Sequence, residues 1–170
     1  ITSAVSDGAG SGVTQMRTTT NGGSTWSAWT AYAASTSVTL PAQGSYTVGV
    51  QVRDAAGNAF SSQRALVYDL TAPVTTSNAT ALYRLSASIT LAPGDAVSGV
   101  SATYWGLDSA PGTLWSGAPI TTSAIGDHTL YWYSVDAAGN VEAEKSAAFT
   151  VSADAPAEVA RLAGPNRWDT

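Results

Sequence analysis

Cysteine is absent from this 170-residue chain, and lysine, histidine and methionine each occur once. Without cysteine there can be no disulfide, no thiolate nucleophile and no cysteine-ligated zinc. Charged residues make up only 11% of the sequence, too few for a helical protein with ion pairs along its exposed faces. The seven basic residues are dispersed and the net charge is −5, which excludes a nucleic acid backbone as partner. No apolar run reaches the roughly 18 residues of a membrane-spanning helix. What is present is six Trp, seven Tyr and many Val and Leu among abundant Ser, Thr, Ala and Gly. That is enough apolar surface for a core, and it excludes disorder. The chain opens at Ile1 with neither an initiator Met nor a signal peptide, and reads as a piece of something longer.

The word DAAGN occurs twice, at Asp54–Asn58 and Asp136–Asn140. Around it ITSAVSD (Ile1 to Asp7) matches ITLAPGD (Ile89 to Asp95), SGV at Ser11 matches SGV at Ser98, and AP at Ala72 matches AP at Ala155. The order is preserved, so the chain is a repeat with a period of about 85 residues, the size of a whole β-sandwich rather than a solenoid unit. Within each copy the signals are strands. In SYTVGVQVRD, Tyr46, Val48, Val50 and Val52 alternate with polar or small residues. SVTL (37–40), RALVYD, ASITL, SATYWGL, TLYWYSV and AAFTV are further β-rich runs between Gly, Pro, Asn and Asp.

The expected architecture is all-β: two tandem immunoglobulin-like β-sandwiches, residues 1–72 and 73–155, with a tail at 156–170. The second copy has Val74 to Ser88 ahead of its ITL and the first has no equivalent, so the first sandwich lacks its N-terminal strand. An exposed edge follows, left open or covered by a neighbouring chain or the tail.

Two resemblances support this reading. DGAGSGV and DAVSGV, the two DAAGN words and DLTAP at Asp69–Pro73 are similar to motifs of bacterial immunoglobulin-like surface domains. RLAGPNRWDT resembles the opening of the bacterial cell wall-binding repeat, with Arg161, Ala163, Gly164, Arg167, Trp168 and Thr170 on its pattern. Together they imply an extracellular stalk, spacer or adhesive module on the wall of a Gram-positive bacterium. Its partners would be the wall, through a C-terminal module, and a glycan or a host or neighbour-cell protein. The alternative is a carbohydrate- or protein-binding accessory domain of a secreted wall-associated enzyme.

The candidate chemistry is sparse. His128 has no nucleophile elbow to serve and is expected at a turn or strand edge. Glu142 and Glu144 are expected on a solvated strand edge. TTNGGSTW (Thr19 to Trp26) fits the Asp-box pattern, in which Asn21 caps a hairpin and the Trp packs beneath it. The chain is therefore read as not an enzyme. Calcium is the one cofactor considered, because Asp7, Asp54 and Asp69 recur as Asp95, Asp136 and Asp154, and hard oxygen ligands suit it. Against it, Asp54 and Asn58 can simply cap a tight turn, with Gly57 at positive φ. The other candidate is an outward aromatic platform of Tyr131, Tyr133, Tyr104 and Trp105, suited to stacking on sugars. The competing reading assigns these rings to core and cross-strand packing.

Overall fold

The computed structural model describes residues 1–2, 5–8 and 10–153. Asp154 and the segment 156–170 that resembles a wall-binding repeat lie outside the described residues. The described residues form thirteen strands and no helix, so the protein is all-β. None of them forms a helix long and apolar enough to cross a membrane. Contacts divide the chain into two compact units. One comprises Ile1–Pro73 with the loop segments Asp95–Val100 and Asp136–Asn140, and the other takes Val74–Gly94, Ser101–Val135 and the chain from Val141 onward.

The first unit is built on one antiparallel sheet. Its strands are β1 (Val13–Thr19), β2 (Thr30–Ala31), β3 (Gly44–Asp54) and β4 (Ala59–Tyr68), in the order β2-β1-β3-β4. The alternation in β3 buries Val50 and Val52, which with Met16 of β1 make a three-residue core. On β1 and β3, the Arg17 guanidinium lies over the rings of Trp26 and Trp29, and that of Arg53 over Trp29. Their Nε atoms donate to Gln51 and Gln15 respectively, tying the two strands together. At the Asp-box hairpin Asn21 Oδ1 accepts from the Thr25 amide, and Gly22 and Gly23 both adopt positive φ. Ile1 is joined to Thr36 by backbone hydrogen bonds and Thr2 bridges Ser35, a single ladder rather than a strand paired on both sides.

The second unit has two layers. One is the five-stranded sheet β10-β9-β12-β13-β6, from β6 (Leu82–Arg84), β9 (Val100–Leu107), β10 (Thr113–Leu114), β12 (Gly126–Asp136) and β13 (Lys145–Ser152). Here β6 lies parallel to β13 and the other pairings are antiparallel where their register is defined. The other layer consists of two pairs, β5 (Val74–Ser77) with β8 (Leu91–Gly94), and β7 (Ala87–Ile89) with β11 (Ile120–Thr122). Ala87, Ile89, Leu91 and Ile120 from this layer enclose one core with Leu130, Trp132, Phe149 and Val151 from the other. This is an immunoglobulin-like sandwich.

One expected strand is missing. SVTL at 37–40 has no strand pairing. In the second unit Ile120 of β11 lies opposite Ile89 of β7; in the first, Thr36 lies opposite Ile1, the counterpart of Ile89, and 37–40 run on past that ladder with no partner among the described residues. A short β-prone run without a partner gains nothing from extending.

Glu142 also departs from expectation: it is buried, whereas Glu144 is exposed. Its Oε1 accepts from the Thr75 amide at 2.7 Å and pairs with Lys145 Nζ at 2.7 Å, and its Oε2 accepts from the Ser134 amide. Lys145 Nζ in turn donates to the Thr75 carbonyl at 2.9 Å. Two side chains thereby satisfy both backbone groups of Thr75, on the edge of β5 that no strand covers. Beneath them the hydroxyls of Thr75, Ser134 and Thr103 form a buried chain. Burial pushes the Glu142 pKa up, but the Lys145 and Thr75 bonds outweigh it and hold the group ionised. Glu142→Ala leaves the Thr75 and Ser134 amides without their acceptor and should cost about 1–3 kcal/mol, as measured by denaturant unfolding. Removing Lys145 as well should recover part of that loss.

Candidate functional site

The two DAAGN turns are built alike. In the first, the Asn58 amide donates to Asp54 Oδ1 at 2.8 Å and Asn58 Nδ2 to Asp54 Oδ2 at 2.7 Å. In the second, the Asn140 amide donates to Asp136 Oδ1 at 2.8 Å and Asn140 Nδ2 to Asp136 Oδ2 at 2.7 Å. Gly57 and Gly139 stand at φ of 93° and 94°, a conformation that side-chain-bearing residues rarely adopt.

Their surroundings differ. Asp69, Asp95 and Asp136 come together in the first unit, each offering a carboxylate oxygen within 4.8 Å of the others. Asp69 and Asp136 are only 6% and 2% exposed. Asp95 Oδ1 accepts from the amides of Val97, Ser98 and Gly99, a tight loop closed on one oxygen. Asp69 accepts from the amides of Thr71 and Ser98, while Asn140 Nδ2 also donates to the Asp69 carbonyl. The pKa of Asp69 is lowered, first by the nearby Ser98 hydroxyl and then by the Thr71 amide. That hydroxyl lies outside hydrogen-bond geometry, and its oxygen is buried without a partner among the described residues. For Asp136, burial raises the pKa, but the Asn140 side chain and amide outweigh it. Hydrogen bonding thus keeps at least two of three crowded carboxylates charged.

Asp7 and Asp54 are not in this cluster. They line a separate small cavity of about 150 Å³, where the Asn58 bonds lower the Asp54 pKa and Asp7 accepts from the Gly12 amide. No third acidic residue joins them among the described residues. Asp154, the sixth aspartate expected from the sequence, lies outside the described residues, and Asn140 and Ser98 were not expected as parts of the cluster. The repeated DAAGN and SGV words were the signal available for them.

The aromatic candidates separate by face. Tyr104 and Tyr133 stack with centroids 5.2 Å apart at 27°, so each covers a face of the other. Tyr131 alternates with buried Leu130 and Trp132, as Tyr133 does. Trp105 does not share the Tyr104 surface: it packs against the core, one residue out of phase along β9. A four-ring platform therefore does not form, because side chains alternate along a strand.

His128 lies on β12, its ring against Phe149. Nδ1 meets Asp108 Oδ2 at 2.7 Å and Nε2 meets the Ala124 carbonyl at 2.9 Å, so both ring nitrogens face acceptors. Asp108 itself sits at positive φ and accepts from the Thr129 amide. The nitrogen that would serve a nucleophile in a catalytic triad is held by the Ala124 carbonyl. The Asp108 carboxylate, then the Ala124 carbonyl, raises the His128 pKa above 6.5.

No protein-family model matches the chain, and no curated protein matches it. Among solved structures it is similar to the fibronectin(III)-like modules of CbhA from Clostridium thermocellum, at 16% identity and a TM-score of 0.49. That match covers 89% of this chain and 83% of the other. The fold assignment rests on the strand pairing and core described above.

The raised His128 pKa stabilises the fold below the unfolded-state value of 6.5, and this contribution is lost as pH rises through the higher folded-state value. Since the chain has a single His, its ring resonances should titrate in NMR with a midpoint above 6.5. In Asp108→Asn the midpoint should move back toward 6.5; an unchanged midpoint would show that Asp108 is not the cause.

Proposed function

We propose that this chain is a non-catalytic spacer or adhesive module of a bacterial surface protein, held outside the cell. The resemblance of Arg161–Thr170 to a wall-binding repeat makes the cell wall its attachment partner. We propose further that it binds one calcium ion through Asp69, Asp95 and Asp136. The observation that carries the calcium reading is the convergence of three carboxylates, two nearly inaccessible to water, without a basic side chain paired to them among the described residues.

Like charges this close repel strongly when buried, and either a proton or a cation must relieve them. Hydrogen bonds oppose the proton at Asp69 and Asp136, which favours the cation. Hard oxygen donors of irregular arrangement suit calcium, with the Ser98 hydroxyl near at hand and water completing the six to eight ligands it takes. Among the described residues the three-carboxylate cluster occurs once, and Asp7 and Asp54 have no third acid beside them.

Titrating calcium into chelator-treated protein should give one equivalent bound and a higher melting temperature. At a hundredfold excess over Kd the gain is about 2.7 kcal/mol. Asp136→Asn should abolish the effect, whereas Asp54→Asn, which alters the same kind of turn, should leave it intact. No shift at millimolar calcium would end the calcium reading alone. The spacer reading is checked separately: antibodies to this chain should label intact, unpermeabilised cells, and labelling only after lysis would refute it.

A further inference from the structure

The outer face of the β1–β3 pair gathers two of the chain's cations. Arg17 and Arg53 alternate with buried Met16 and Val52, so both point to the side away from the core. Arg17 Cζ lies 5.2 Å from the Trp26 ring centroid and 4.5 Å from that of Trp29, and Arg53 Cζ lies 4.3 Å from Trp29. Sharing one indole holds the two charges within about 9 Å of each other. No carboxylate pairs with either guanidinium among the described residues. Their Nε atoms donate to the Gln51 and Gln15 side-chain oxygens, which uses one of the five donors on each and leaves each glutamine with its NH2 group to offer. The remaining hydrogen-bonding groups of these four side chains are donors alone. The second repeat shows that the fold does not require them. By the SGV offset Tyr104 takes the place of Arg17, by the DAAGN offset Tyr133 takes that of Gln51, and these two rings stack on each other.

Beside Trp26 lies a cavity of about 340 Å³ whose described lining, apart from Trp26 and Val38, is Thr and Ser. Hydroxyls both donate and accept, which matches the hydroxyls of a sugar. We propose that the two guanidiniums and this cavity form one binding site for an acidic glycan. Arg17 and Arg53 take its carboxylates, and a neighbouring sugar ring occupies the cavity. Charge complementarity calls for the acid, because two cations held this close repel unless an anion joins them. A guanidinium grips a carboxylate through two parallel bonds, and the Nη donors of both arginines remain for that purpose. An acidic peptide fits less well, since protein interfaces are anchored by aromatic or apolar side chains and here guanidiniums lie over both indoles. The net charge of −5 limits the ligand to a short or sparsely charged stretch rather than a long polyanion. This site deepens the adhesive reading above and rests on it; the spacer reading stands without it.

The test titrates the full chain with tetragalacturonate, in chelator so that no calcium ion bridges ligand and protein. The expected result is saturable one-to-one binding that weakens with added salt. In NMR the Arg17 and Arg53 Nε–H signals, the Trp26 and Trp29 indole N–H signals and the Thr20 and Thr25 amides at the cavity should shift. The fully methyl-esterified oligomer, which keeps the sugars and loses the charge, should not bind. In the chain variant Gln15→Glu with Gln51→Glu, each new carboxylate accepts the same Nε bond and neutralises its guanidinium in place. That variant should melt no lower than the parent chain and yet bind roughly tenfold more weakly or worse, the loss that accompanies a charge-assisted hydrogen bond. No saturable binding at millimolar oligomer, equal binding of the ester, or undiminished binding by the doubly substituted chain overturns the proposal. So does a glutamate-rich peptide that binds as tightly, which would assign the patch to a protein partner. The titration reads binding by the purified chain, so its failure leaves the cell-surface labelling that checks the spacer reading untouched.

Discussion

A β-sheet with one apolar face must have that face covered, and the two units of this chain differ in whether it is. The second unit has Ala87, Ile89, Leu91 and Ile120 against Leu130, Trp132, Phe149 and Val151, all nearly inaccessible to water. Burying such side chains contributes roughly 1.5–3 kcal/mol each, enough to support a small domain. The first unit has three buried core residues in a sheet of similar strand lengths. Its outer face is reinforced instead by two guanidiniums interleaved with two indoles, an arrangement that stiffens the hairpin without supplying a second layer.

The same contrast governs the secondary structure. Residues 120–122 form a strand against β7, whereas 37–40 have no strand partner among the described residues. Extended structure there is a property of the pair rather than of the local sequence alone. The DAAGN turns behave in the opposite way. Their hydrogen bonds and glycine geometry recur within a tenth of an ångström and a degree in very different surroundings. Local chemistry is sufficient for the turn, whereas the strand depends on a partner far away in sequence.

That division explains what could be read before the structure. The all-β class, the long strands β3 and β12 and the two turns followed from alternation and from Asx and glycine chemistry. Trp105 was placed with Tyr104 although neighbours on a strand point to opposite faces, so that error was one of phase. Glu142 and Glu144 are two residues apart, a spacing that reads as a solvated strand edge. The reason for burial of Glu142 is the open edge at Thr75, which is distant in sequence and not encoded near Glu142. Of the five described aspartates among the six candidate ligands, three converge and two lie apart. The pattern of recurrence identified the residues, while their grouping depended on loop conformation.

The clasp on Thr75 has a consequence for how this sequence can change over generations. A lone substitution at Glu142 leaves an ammonium facing a carbonyl with its charge unmatched, and a lone substitution at Lys145 strands a buried carboxylate. Change at either position is therefore expected to accompany change at the other. In the first repeat Phe60 and Ser62 stand at the corresponding register, an apolar ring and a small hydroxyl where the second repeat has the ion pair. Where an alignment of related repeats shows one of the two charges without the other, the edge of β5 must be held by some third group.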